Sequence, residues 1–434
     1  MDRTVYIIDG GRTPFLKARN KPGPFAASDL ATAAGRAVLN RQPFEPAALD
    51  EVILGCAAPS VDEVNIGRVV ALRMGCGQRV PGWTVMRNCA SGMQSLDSAI
   101  ANFAAGRSDL VLAGGVDALS RAPLLYSEAM TLWFAQFAAA RGFGQKAAAL
   151  AKFRPAYLAP VIAIMKGLTD PNVGLLMGQT AENLAHRFGI TRRQMDEYAA
   201  RSHARVIRAQ EAGWFLAPHD GLGPEIVPVF DAAGTAYKDD DGVRKDSTVE
   251  NLAKLKPFFD RKYGNVTAGN SSQVTDGAAW LLLATEEAVK RHDLTPVGRI
   301  VDSHWAGLDP SQMGLGPVHA ATPILARHRL GLNDLDAWEL NEAFAAQVLA
   351  CLEAWKSDEY CRTELGLDRA LGELDVERLN VDGGAIALGH PVGASGARIV
   401  LHLLHVLKRT GGKRGMATIC IGGGQGGAML VEAL

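Results

Sequence analysis

Short apolar runs recur along this chain, and each is followed by a stretch in which apolar residues return every three or four positions. Val52-Ile53-Leu54, Leu110-Val111-Leu112-Ala113 and Ala417-Thr418-Ile419-Cys420-Ile421 have the length and β-branched content of buried strands, and the segments after Ser91 and Ser395 have helical spacing. Strands alternating with helices predict parallel sheets covered on both faces. The pattern also repeats. Leu49-Asp50-Glu51-Val52-Ile53-Leu54, then Ala90-Ser91-Gly92, then Leu110-Val111-Leu112-Ala113-Gly114-Gly115 in the first half correspond to Leu335-Asp336-Ala337-Trp338-Glu339-Leu340, Ala394-Ser395-Gly396 and Ala417 to Gly423 in the second. The chain therefore divides into two similar α/β halves, 1–120 (completed by about 274–295) and 296–434, around an insertion at 121–273.

The insertion carries its own pattern. Leu124 to Met165 is rich in alanine, leucine and aromatics, with Arg141, Lys146, Lys152, Arg154 and Lys166 interspersed. Helices are expected there, broken near Gly142, Gly144, Pro155 and Pro160. Gly178 to Gly213 reads as two more helices, and Gly221 to Asp246 as turns with strand fragments. The simpler role is a cover over a substrate site. The sharper one adds an apolar docking surface for a partner or a membrane, since basic amphipathic helices lie at interfaces.

Composition narrows the class. A chain of 434 residues, 48% apolar with 47 glycines, suits a compact enzyme of two or three units. Its formal net charge of −1 gives no general pull toward nucleic acid or an anionic membrane, so an anionic ligand would need local positive groups. Six cysteines without CxxC spacing argue against a disulfide framework and a structural zinc site and indicate a reducing compartment. Met1-Asp2-Arg3-Thr4-Val5 runs straight into a strand without the layout of a signal peptide, and no segment is long and apolar enough to span a membrane. A cytoplasmic location is expected.

Three residues carry candidate chemistry. Cys89 ends the β-prone run Trp83-Thr84-Val85-Met86-Arg87-Asn88 and precedes small residues and a helix, which is a nucleophile's position. The helix terminus is expected to stabilise its thiolate and lower its pKa; the alternative is an inert structural cysteine. His390 stands in a glycine-rich loop just before a helix that begins near Ser395, and near-neutral titration would suit a general base. Cys420 ends an apolar strand beside the bare backbone of Gly422-Gly423-Gly424. That glycine cluster lacks the Lys-Ser/Thr ending of a phosphate loop. His402 and His405 share a helix face without further ligands, so no metal site is expected, and Cys56, Cys76, Cys351 and Cys361 are read as structural.

With Asn88-Cys89-Ala90-Ser91-Gly92, Asn341-Glu342-Ala343-Phe344, Gly389-His390-Pro391 and Cys420-Ile421-Gly422-Gly423-Gly424 in this order, the chain resembles the thiolase family along most of its length. The resemblance implies a layered αβαβα fold with two central helices between two sheets and a loop domain. It implies that Cys89 holds the acyl group, His390 takes its proton, and Cys420 serves as acid and base. His390 with a water on Asn341, and the amides of Cys89 and Gly422, would form two oxyanion sites. Coenzyme A is the implied co-substrate, with no permanent cofactor. Met177, Phe259, Ala268, Ser272 and Phe344 match the family's coenzyme A and substrate contacts. Asn341 could otherwise cap a helix starting near Glu342, and Glu342 could be a solvated carboxylate.

The insertion is similar to that of thiolase subunits in fatty-acid-oxidation complexes. The partners this implies are acyl-CoA and CoA, a homodimer or homotetramer, a hydratase/dehydrogenase subunit and peripheral membrane contact, with no nucleic acid. Leu176 stands where short-chain thiolases show histidine, which favours longer substrates; Asn341, by contrast, is the residue of short-chain and general thiolases. The reading that follows is a 3-ketoacyl-CoA thiolase of fatty-acid oxidation, with a biosynthetic acetoacetyl-CoA thiolase as the alternative. A decarboxylating ketoacyl synthase fits less well, because its family uses a second histidine where this chain has Asn341 and Cys420. A noncatalytic acyl-CoA-binding relative would lack part of the set.

Overall fold

A computed structural model describes residues 3–434; Met1 and Asp2, expected to lead into the first strand, lie outside them. Nine strands build the main sheet: β1 (Val5–Arg12), β2 (Glu51–Gly55), β3 (Gly82–Val85), β4 (Leu110–Ala118), β5 (Thr275–Ala284), β6 (Gly298–Gly307), β7 (Ala337–Leu340), β8 (Arg414–Ile421) and β9 (Gln425–Ala433). A two-residue strand, Leu16–Lys17, is added on β5. Their order is β7-β8-β9-β6-β1-β5-β4-β2-β3. The helices named below are α1 (Ala27–Leu39), α2 (Ile66–Arg73), α3 (Ser91–Ala104), α4 (Glu128–Ala139), α5 (Gly142–Ala151), α6 (Met177–Arg187), α7 (Arg192–Glu211), α8 (Gly316–His328), α9 (Ala345–Lys356) and α10 (Val392–Thr410).

The internal repeat is visible in the pairing. In the first half β2 is parallel to β4, β4 antiparallel to β5, and β5 antiparallel to β1; in the second β7 is parallel to β8, β8 antiparallel to β9, and β9 antiparallel to β6. Even the outer pair β2–β3 has a counterpart, a parallel bridge from Trp338 to Leu379. The sheets are thus mixed, not parallel as expected. The reason lies in the connections: β8 returns to β9 through a turn of three glycines, too short for the crossover a parallel neighbour needs. The halves join where Val5, Tyr6 and Ile7 of β1 pair with Ile300, Arg299 and Gly298 of β6.

Alternation along β5 shows why both faces are covered. Ala278, Trp280 and Leu282 pack under α1 and α2, whereas Ala279, Leu281 and Leu283 face the central helices α3 and α10. On the far side α8 and α9 close the third core around Trp338 and Trp355. The central pair crosses on glycine. A β-carbon at Gly92 would stand 2.8 Å from both Gly393 O and Ala397 N, and one at Gly396 would stand 2.5 Å from Met93 N. Only glycine brings the two helix starts so close, and the candidate residues lie on the turns just before them.

In the insertion, α4 and α5 form a hairpin, and Gly144, expected to break a helix, lies inside α5. Tyr126, Trp133, Phe134, Phe137, Phe153 and Tyr157 pack on one another, mostly edge-on or tilted, with Trp133 and Phe137 stacked. In the hairpin itself Met130 and Ala149 are buried, while Leu124, Leu125, Leu132, Phe143 and Leu158 around it are exposed. The segment from α6 to Gly213 holds α6 and α7, and the turn-rich stretch after it holds the strand pair Val229–Phe230 and Ala236–Tyr237.

Candidate active site

The turn before α3 presents Cys89. Strand β3 stops at Val85, four residues earlier than the sequence suggests, and the chain turns sharply through Asn88, whose φ is +44°. Asparagine tolerates that left-handed conformation better than most residues. Ser91 locks the turn: its Oγ accepts from Arg87 N at 2.9 Å and donates to Asn88 O at 2.8 Å. Asn88 Nδ2 in turn donates to Gly422 O at 2.9 Å, tying the first half's nucleophile turn to the second half's glycine turn. The Cys89 thiol is approached by the amides of Gly422 and of Cys89 itself. Met177 closes another side, with its Sδ 3.2 Å from where a β-carbon on Gly422 would stand.

Cys420, fully buried on β8 opposite Gly426, is close enough for its charge state to be coupled to that of Cys89. Beside it runs the strand leading to Asn341. Leu340 pairs with Thr418, and Asn341 N donates to Thr418 O at 2.9 Å. Asn341 caps nothing, because α9 starts only at Ala345 with Phe344 as its cap. Its side-chain oxygen and nitrogen are both buried without a protein partner. Glu342 is not solvated: its carboxylate accepts from Tyr198 Oη, Ser202 Oγ at 2.6 Å, Asn380 Nδ2 and Ile386 N, which pins the glycine loop leading to His390.

His390 follows Gly389, which has a φ of +100° and where a β-carbon would stand 2.1 Å from the Thr275 methyl group, so that only glycine fits. The His390 amide donates to Gln273 O, its Nδ1 meets Ser395 Oγ at 2.6 Å, and its buried Nε2 has no protein partner. Helix α10 begins at Val392, three residues before the expected start. Ser272 donates its amide to Ala343 O, and Phe344 packs edge-on to Phe259 with centroids 5.8 Å apart. Phe259 also lies against Gly178. Phe259, Ser272 and Phe344 thus lie beside the segment that carries Asn341, Met177 lies beside Gly422, and Ala268 is exposed.

Electrostatics corrects two expectations. Burial raises the Cys89 thiol above its ordinary range and outweighs the Gly422 and Cys89 amides that favour the thiolate. Cys89 is half-buried, and a helix terminus contributes only roughly 0.3–1 kcal/mol, less than about one pKa unit, so partial desolvation suffices to outweigh it. Burial, followed by the Arg398 charge, pushes His390 down to about 4, away from neutrality. The resting pair is a thiol and a neutral imidazole, so attack by Cys89 needs a base in place. Cys420 is raised well above its ordinary range by burial and then by the Cys89 charge.

Two features carry no clear sequence signal. Asp117, at the end of β4, is fully buried and accepts from Cys56 Sγ, Ala57 N, Ala58 N and Gly393 N, fastening the start of α10 to the first half. A carboxylate closing a wholly apolar strand is the available hint. A cavity of about 480 Å³ between α7 and residues 244–250 is lined by Arg201, His203, Arg244 and Lys245 among others. Glu250 also lines it, so the lining is basic on balance.

This geometry is that of an acyl-transfer site built where two related halves meet. The models for "Thiolase, N-terminal domain" and "Thiolase, C-terminal domain" match residues 5–287 and 294–433, and the chain belongs to the thiolase family of acyltransferases. It is 41% identical to the β-ketoadipyl-CoA thiolase of Pseudomonas aeruginosa over the full length of both chains. It is 35% identical to the human mitochondrial trifunctional enzyme subunit beta, covering 99% of this chain and 88% of that one. The crystal structure of human mitochondrial 3-ketoacyl-CoA thiolase in complex with CoA superposes with a TM-score of 0.83 at 36% identity, covering 100% of this chain and 98% of the other.

Proposed function

We propose that the chain is a 3-ketoacyl-CoA thiolase of fatty-acid β-oxidation, transferring an acyl group to CoA through a thioester on Cys89 and releasing acetyl-CoA. The observation that carries this reading is the coupling of two thiols from the two halves, Cys89 and Cys420, in a chain whose His390 and Asn341 keep Nε2, Nδ2 and Oδ1 buried without a protein partner. His390 Nε2 takes the Cys89 proton, and the thiolate attacks the 3-keto carbon. The C2–C3 bond breaks, its electron pair passing to C2 as the acetyl-CoA enolate, which Cys420 protonates. The Cys420 thiolate then takes the proton of incoming CoA, whose sulfur attacks the thioester; Cys89 leaves and recovers its proton from His390. Asn341 and His390 stabilise the enolate oxygen, and the Cys89 and Gly422 amides stabilise the tetrahedral oxyanion. The anionic end of CoA fits the basic cavity at Arg201, Arg244 and Lys245, with Met177, Phe259, Ala268, Ser272 and Phe344 along its arm.

Leu176 and Met177 give the acyl side an apolar lining, and each methylene buried there is worth about 0.8 kcal/mol. Thiolysis of a long-chain 3-ketoacyl-CoA is therefore expected to exceed that of acetoacetyl-CoA in kcat/KM by about tenfold or more. A preference for acetoacetyl-CoA would overturn the degradative reading in favour of a biosynthetic acetyl-CoA C-acetyltransferase. The likeness to a β-ketoadipyl-CoA thiolase supports a second reading, a 3-ketoacyl chain ending in a carboxylate. Adding 3-ketoadipyl-CoA to the same assay decides it.

The assembly proposed is a homo-oligomer with a hydratase/dehydrogenase partner subunit. Strand β3 is an uncovered edge beside exposed Met86, which suits pairing with a second copy. Residues 121–167 carry six basic side chains against one acidic one, Glu128, around the exposed apolar side chains of the α4–α5 hairpin. The trifunctional enzyme subunit beta, by its name, works within a larger enzyme. Tagged protein purified from its native host should carry hydratase and dehydrogenase activity, and placing Asp at Leu132 and Phe134 should remove both while thiolysis persists. Sedimentation of intact protein with anionic phospholipid vesicles, without those activities, would move the contact to a membrane. If neither occurs, the hairpin is a substrate cover.

A further inference from the structure

The two central helices fasten the residues before them in the same way. In the first half Ser91 of Ala90-Ser91-Gly92 binds back to Arg87 N and Asn88 O, fixing the turn that presents Cys89. In the second half Ser395 of Ala394-Ser395-Gly396 binds back to Pro391 O at 3.1 Å and to His390 Nδ1 at 2.6 Å. A serine hydroxyl has a single proton to donate, and a carbonyl oxygen only accepts. If Ser395 donates to Pro391 O, its contact with His390 must be Nδ1–H donating to Oγ. The lone pair of Nε2 is then left free, and Nε2 is the ring atom that is buried without a partner.

We propose that Ser395 is the positioning residue for His390: as acceptor from Nδ1–H and donor to Pro391 O, it selects the imidazole tautomer that leaves Nε2 able to take the Cys89 proton. The inference rests on the reading of His390 as that base. In the opposite tautomer Ser395 would donate to Nδ1, and Nε2 would carry a hydrogen and could not accept one. The chain Nδ1–H to Oγ to Pro391 O also persists when Nε2 is protonated, so the imidazolium formed during acylation keeps the same contacts. Ser395 is buried, and Ser91 does not touch His390, which leaves Ser395 as the side chain the structure places on Nδ1.

The direct test is 15N spectroscopy of histidine-labelled wild-type protein at neutral pH, with the His390 signal assigned by its loss in His390→Gln. A protonated Nδ1 and bare Nε2 are expected, and a proton on Nε2 would overturn the proposal. Ser395→Ala should slow single-turnover acylation of Cys89 by acetyl-CoA about tenfold to a hundredfold with little change in KM for CoA, and Ser395→Thr, which keeps the hydroxyl, should restore most of the rate. Wild-type acylation in Ser395→Ala, while His390→Ala is inactive, would remove the role from Ser395 and leave His390 as base. Unimpaired acylation in His390→Ala would instead remove the base itself.

Discussion

Replacing Cys89 with serine is expected to lower thiolysis by about four to six orders of magnitude, the scale on which a covalent nucleophile is lost. The alcohol retains the shape of the site and its two approaching amides, so the fold and CoA binding should persist. Acetyl-CoA should leave an acetyl group on Cys89 of the unaltered protein, visible by mass spectrometry, and an adduct on Cys420 with Cys89 free would defeat the assignment. The thiol's titration gives a second readout. Because burial raises the Cys89 pKa, its thiolate fraction at pH 7 is small and grows about tenfold per pH unit until the pH reaches that raised value. Alkylation by iodoacetamide should therefore keep accelerating past pH 9. A plateau below pH 8 would mean a preformed thiolate–imidazolium pair, and His390 would then have no proton to take.

The residues that carry this chemistry are legible because each requires a local sequence: a cysteine before small residues, a histidine between glycines, a strand ending in cysteine and three glycines. The repeat also points to the pairing of α3 with α10, since Ala-Ser-Gly recurs where the helices cross. What sequence pattern misses depends on burial from other elements. Strand direction at β5 is set by β4 and β1, far along the chain, and although β9 turns back on β8 through three glycines, alternating strands and helices look alike in parallel and mixed sheets. The sign of the Cys89 shift is invisible locally because the helix terminus is written in neighbouring residues, whereas the desolvation that outweighs it arises from tertiary packing. Asp117 is the same case: its four donors come from residues 56–58 and from Gly393, which no window along the chain contains together.

Cys420→Ser should separate the two halves of the reaction. Acylation of Cys89 by acetyl-CoA uses His390 and the amide donors, so the serine variant should still become acetylated. Exchange of the acetyl-CoA α-protons with deuterium needs a thiolate at position 420, and a serine hydroxyl is too weak an acid to supply an alkoxide there. Exchange should fall below detection, and thiolysis should drop by about a hundredfold to ten-thousandfold, the range of a lost acid–base group. The coupling between the thiols explains why the steps must alternate. Burial and the Cys89 charge both hold the Cys420 proton on, so the two sulfurs resist being anionic together. Once Cys89 is acylated its charge is gone, and Cys420 can give its proton to the departing enolate and remain as the thiolate that activates CoA. Normal deuterium exchange in Cys420→Ser would place the base elsewhere, and His390, with its unpartnered Nε2, would be the group to test next.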